Sequence, residues 1–99
     1  MKLGRPRFRD LIERQLDLFE RENRGDIQET QRRLDLYNAA DRDEAEELYG
    51  DYVDHVEAVK ELLEELRDTY ARTLDEGVRD VYERQFDRML AKRWPRFEL

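Results

Sequence analysis

The two prolines of this 99-residue chain are Pro6 and Pro95, so no obligatory helix breaker falls between them and almost the whole length is open to helix. Within that interval the apolar residues keep a 3.6-residue period. The first stripe runs Phe8, Ile12, Leu16, Phe19, Ile27, Leu34 and Tyr37, with Asn23 and Thr30 at the intervening positions. Its phase passes through Gly25, which predicts one helix over about 7–39. Asn23-Arg24-Gly25-Asp26 also reads as a stop followed by a new N-cap, with Glu29 at capping-box spacing, so a kink or break near Gly25 is the alternative.

Tyr37-Asn38-Ala39-Ala40-Asp41 marks a sharper break, with Asp41 and Glu44 spaced as a capping box for the next helix. The second stripe is Leu48, Tyr52, Val56, Val59, Leu63, Leu66, Tyr70 and Leu74, widened by Ala45, Tyr49 and Leu62, and predicts a helix over about 42–74. Thr73 and Glu76 repeat the capping-box spacing and Gly77 interrupts. Val78, Val81, Tyr82, Gln85, Phe86, Met89, Leu90 and Trp94 then carry a third helix over about 75–93, with a turn before it favoured over direct continuation.

The expected fold is therefore all-α and a single domain over 1–99: a long antiparallel helical hairpin, each arm about 50 Å long at 1.5 Å rise per residue, plus a shorter third helix. Composition bears on its assembly. Only 38% of residues are apolar against 45% charged, with a mean hydropathy of -1.09, which is little apolar surface for long, narrow stripes to bury alone. A homodimer joined in coiled-coil fashion as a helical bundle is the expected remedy. Its core or interface residues would be Phe8, Ile12, Leu16, Phe19, Ile27, Leu34, Tyr37, Leu48, Tyr52, Val56, Val59, Leu63, Leu66, Tyr70, Leu74, Val81, Phe86 and Trp94.

The chain has 26 acids and 19 bases, a net charge of -7, which disfavours nucleic acid and anionic lipid as partners. The charge is uneven: residues 41–68 hold twelve acids and three bases, while residues 1–14 and 88–99 each carry a balance of +3. Lys2, Arg5, Arg7, Arg9, Lys92, Arg93 and Arg96 would make a phosphate or acidic-partner surface. The favoured reading is that the basic end of the third helix lies beside the acidic start of the second. Asp17 and Arg21, Glu29 and Arg33, Asp68 and Arg72, and Asp75 and Arg79 have the spacing of helical ion pairs.

The chemical inventory is narrow. With no Cys and no Ser, three Thr, one His and no Gly-rich phosphate loop, the usual nucleophiles are missing and catalysis is not expected. No signal peptide or apolar span is visible, which together with the lack of Cys makes the cytoplasm the expected location. Glu44, Glu47, Asp51 and Asp54 share one helix face, a solvated acidic surface rather than a cation site. His55, with Asp51 and Asp54, is where a metal would be sought. A di-iron bundle needs Glu-x-x-His, however, and Tyr52 stands three residues before His55. No cofactor is implied. The function class favoured is a structural or protein–protein interaction module contacting another protein through its helical surfaces, with a bundle binding a metal ion or small ligand near His55 as the alternative.

Overall fold

The computed structural model describes residues 7–99, and over this range the chain forms four α-helices and no strand: α1 (Arg9–Glu22), α2 (Arg24–Asn38), α3 (Arg42–Ala71) and α4 (Glu76–Arg93), followed by a 3-10 turn at Pro95–Phe97. No helix among the described residues is long and apolar enough to cross a membrane.

The first stripe is carried by two helices that meet at one residue, Asn23, with φ -121° and ψ 25°. Its carboxamide Nδ2 and its backbone N–H both donate to the Phe19 carbonyl, at 3.1 and 2.9 Å. Its own carbonyl accepts from Ile27 N–H at 3.0 Å, so the helical ladder continues through the bend. The kink therefore follows an asparagine side chain that competes for helix backbone. Gly25, two residues on, lies inside α2 with an ordinary φ and open space where a Cβ would stand.

The two other junctions also differ from their expected capping. Asp41 takes the extended N-cap backbone of α3 and its carbonyl accepts from Glu44 and Ala45 N–H, each at 3.0 Å, yet its carboxylate caps nothing. α3 closes at Ala71, three residues earlier than the stripe suggests. Thr73 is not an N-cap: its hydroxyl donates backward to the Tyr70 carbonyl at 2.7 Å, and Asp75 occupies the N-cap of α4, with Gly77 within the first turn. Arg79 makes no ion pair with Asp75 and instead donates to the carbonyls of Ala71 and Leu74, both at 3.1 Å. A cation thus sits against carbonyls at and just beyond the end of α3, where the helix dipole is negative.

Packing follows from where the stripes meet. Contacts between α2 and α3 pair Asp26 with His55, Arg33 with Asp51 and Tyr37 with Tyr49, in opposite chain order. α3 and α4 likewise pair Arg67 with Asp87 and Tyr70 with Tyr82. α1 runs the same way as α4, with Phe8 against Tyr82, Phe19 against Trp94 and Glu20 bound by Arg93. No Cα of α1 comes within 8 Å of one in α3. α4 packs against both.

The result measures 58 × 28 × 21 Å. At one end α1, α4 and the C-terminal half of α3 enclose Ile12, Leu16, Leu63, Tyr82, Phe86, Leu90 and Phe97, all at 0–1% exposure. At the other end α2 and the N-terminal half of α3 form a two-helix arm. Between Thr30 and Val56 no residue is buried, because two helices alone cannot cover both sides of a stripe.

Of the eighteen residues expected at core or interface, Phe8, Ile12, Leu16, Phe19, Val56, Val59, Leu63 and Phe86 are buried. Ile27, Leu34, Tyr37, Leu48, Tyr52, Leu66, Tyr70, Leu74, Val81 and Trp94 are half-buried. Thr30, Ala71, Tyr82, Leu90 and Phe97 are buried besides. Thr30 is satisfied there, its hydroxyl donating to the Asp26 carbonyl at 3.0 Å.

Phe86→Ala should cost about 3–5 kcal/mol in urea unfolding, since it opens a cavity in the enclosed end. Leu36→Ala on the exposed arm should stay within about 1 kcal/mol. Tyr82→Phe removes the 2.8 Å bond from its hydroxyl to Gln15 Oε1 and should cost about 1 kcal/mol. Burial pushes the Tyr82 hydroxyl up to about 12 from 10.0. Its raised value means this contribution is complete below pH 10 and is lost as pH climbs through 12, which an alkaline absorbance titration of tyrosinate will follow.

Candidate interaction surfaces

The arm concentrates charge and apolar exposure together. Residues 35–55 hold eight acids and one base, a balance of -7, which leaves 18 acids and 18 bases on the rest of the chain. The whole net charge of the protein therefore sits on this one end. Among the described residues, two of the four exposed large apolar side chains, Leu36 at 43% and Tyr49 at 50%, stand on the same arm. Tyr49 lies between Tyr37 and Tyr52, with ring centroids 5.1 and 6.3 Å away, so an aromatic row crosses from α2 to α3. Beside it a shallow groove of about 210 Å³ is lined by Arg32, Arg33, Leu36, Leu48 and Asp51.

The base of the arm is stapled by Glu29. Its carboxylate accepts from Arg32 at 2.6 and 2.8 Å and from Arg33 at 2.8 Å, and Arg33 reaches across to the Asp51 carbonyl at 3.1 Å. The Arg32 hydrogen bonds, with those of Arg33, hold the Glu29 carboxyl down at about 2.

His55 is engaged in the same seam. Its Nε2 stands 2.9 Å from the Asp26 carbonyl, and because a carbonyl only accepts, that nitrogen carries the proton. The ring's lone pair then lies on Nδ1, and Nε2 is not open to a metal in this arrangement. Asp51 and Asp54 are exposed on α3, and among the described residues no three His, Asp or Glu side chains converge as metal ligands. The groove on the arm includes Asp51 but not His55, Tyr49 or Tyr52.

The basic end of α4 does not reach the acidic start of α3, contrary to the pairing expected from the sequence. Arg93 binds Asp17 and Glu20 of α1 at 2.8 and 2.5 Å, lies 4.8 Å from the Trp94 ring centre, and stays firmly protonated because these bonds outweigh its partial burial. Arg96 donates to Gln31 of α2 at 3.1 Å. Arg9 pairs with Glu13 at 3.0 Å, and Arg7 lies 5.5 Å from the Phe8 ring centre. Lys2 and Arg5 fall outside the described residues. A groove of about 460 Å³ between α1 and α4 collects Arg9, Arg88 and Lys92 around Leu16 and Met89.

Of the four expected helical ion pairs, Glu29–Arg33 forms. Asp17 turns to Arg93, Asp68 pairs with Arg67, and Arg72 reaches only the Asp68 carbonyl, at 3.4 Å. Arg67 ties the core end together, with Asp87 at 2.7 Å and Asp68 at 2.9 Å. Burial opposes its charge, but these bonds keep it protonated beyond the ordinary arginine range.

A third groove, of about 500 Å³, opens between α1 and α3 over Phe19, Leu66 and Tyr70. The remaining two exposed apolar residues, Leu18 at 47% and Leu62 at 42%, stand at its rims. Leu62 lines the groove directly, and Leu18 lies one turn from Gln15 and Glu22, which also line it.

Comparison with family models, with curated proteins and with solved structures finds no match to this chain.

A side-chain NMR titration should find the Glu29 carboxyl ionising near 2 rather than at 4.5. A depressed folded value means the Glu29 cluster supports the fold above pH 4.5 and is lost as pH falls toward 2. Arg32→Ala with Arg33→Ala should return the midpoint to the ordinary range and remove that part of the acid dependence.

Proposed function

We propose that this chain is a protein–protein interaction module whose recognition element is the arm formed by α2 and the N-terminal half of α3. Its partner is a basic, amphipathic protein segment. One observation carries the reading: residues 35–55 of the arm carry a balance of -7, equal to the net charge of the chain, and among them stand exposed Leu36 and Tyr49. Acidic side chains steer and orient a cationic partner, while the apolar pair supplies contact area that charge alone lacks. Tyr37, Tyr49 and Tyr52 add ring faces on which Lys or Arg can settle.

Two further features belong to the same proposal. α2 and α3 act as the two sides of a helical hairpin, and the protein works as a homodimer, because its 38% apolar content leaves grooves and stripes incompletely covered. A chain without cysteine suits the reducing cytoplasm in which such a module would operate.

The test is fluorescence anisotropy with a labelled helical peptide of Lys, Arg and Leu. Glu44→Gln, Glu47→Gln and Asp51→Asn together should weaken binding about tenfold or more, roughly 1.4 kcal/mol. Tyr49→Ala should weaken it further at high salt, where the apolar share dominates. Asp80→Asn with Glu83→Gln on α4 is the control for charge in general. Equal loss from the arm and from α4 would reduce the interaction to non-specific attraction and overturn the proposal.

A further inference from the structure

α1 and α3 are held apart by α4, and the groove between them has an apolar floor, Glu22 and Glu65 on its walls, two exposed leucines at its rims and, beyond these leucines, outer flanks of opposite sign. On α1, Arg14 and Arg21 stand two turns apart beside Leu18. On α3, Glu61 and Glu65 stand one turn apart beside Leu62. All four are exposed, and none has an ion-pair or hydrogen-bond partner among the described residues.

We propose that a second copy of this chain docks on this face, with α1 of each copy lying over α3 of the other about a two-fold axis. The inference rests on the paired state included in the functional reading above and assigns its surface and symmetry. The charge pattern selects the occupant. A basic helix from another protein would meet Arg14 and Arg21 on the outer flank of α1, and an acidic one would meet Glu22, Glu61 and Glu65. A two-fold partner lays its own arginine ridge over the glutamate ridge and its glutamate ridge over the arginine ridge, so the complementarity is made twice. Leu18 of each copy then enters the partner's groove, where Leu62, Leu66 and Phe19 offer the apolar surface that α1 and α3 do not give each other.

Placement of the remaining charge agrees. Outside residues 35–55 the chain is balanced at 18 acids and 18 bases, so two such bodies meet without net repulsion. The acidic arms stay clear of the interface, each available to its own partner.

Sedimentation equilibrium of the full chain should show reversible assembly to twice the chain mass of 12.2 kDa. Arg14→Glu with Arg21→Glu should weaken self-association at least tenfold, and so should Glu61→Arg with Glu65→Arg, because each places like charges opposite one another. An equimolar mixture of these two variants should recover the dimer as a heterodimer. Leu18→Asp should give a monomer with unchanged circular dichroism and melting temperature.

A wild type that stays monomeric at every concentration overturns both this surface and the paired state, while the arm is judged by its own peptide experiment. A dimer that survives both charge reversals overturns this surface and leaves pairing elsewhere on the chain. Failure of the mixed variants to recover the dimer overturns the placement of α1 over α3.

Discussion

Tyr82 meets Phe8 at 5.3 Å on one side and Tyr70 at 4.9 Å on the other. Through these ring contacts α4 joins two helices whose backbones do not approach each other. The buried hydroxyl, bonded to Gln15, fixes the height of α1 on α4. Arg67 and Arg93 repeat the pattern with charge, one tying α3 to α4 and the other α4 to α1. Remove α4 and both α1 and the C-terminal half of α3 lose the helix that each packs against. The enclosed core, the α1–α3 groove and the bareness of the arm are three results of spending a small apolar supply at one end.

What could be read from the residues was the period. Helical phase brought Ile12, Leu16, Val59 and Leu63 to the inside, and it also placed the breaks near Asn38 and Gly77 to within a few residues. It did not tell which stripe faces which. Leu34 and Leu48 have the same pattern as Leu16 and Leu63, yet they lie where only two helices run, and are half-buried for want of a third. Phe97 was missed because it follows Pro95, where the helical period ends and the chain folds back in a 3-10 turn.

Charge was legible in amount and misleading in partnership. Spacing along one helix pairs Asp17 with Arg21 and Asp75 with Arg79, but an arginine chooses among all acceptors in reach. Arg79 turns instead to the Ala71 and Leu74 carbonyls at and just beyond the end of α3, and Asp17 to an Arg93 half-buried beside Trp94. The acidic surface on the start of α3 was visible from composition. Its isolation was not, since that follows from α4 stopping level with the middle of α3 and leaving residues 41–54 uncovered.

That uneven burial divides the backbone by kinetics. Amides in the enclosed end, under Leu63, Tyr82 and Phe86, exchange with solvent only when the whole core comes apart, so their protection measures global unfolding. Amides of the arm have no buried layer above them and open through local fraying at far smaller cost. Among the described residues the arm is thus less protected than the enclosed end, and anything that ordered it would extend the cooperative unit along the long axis of the molecule.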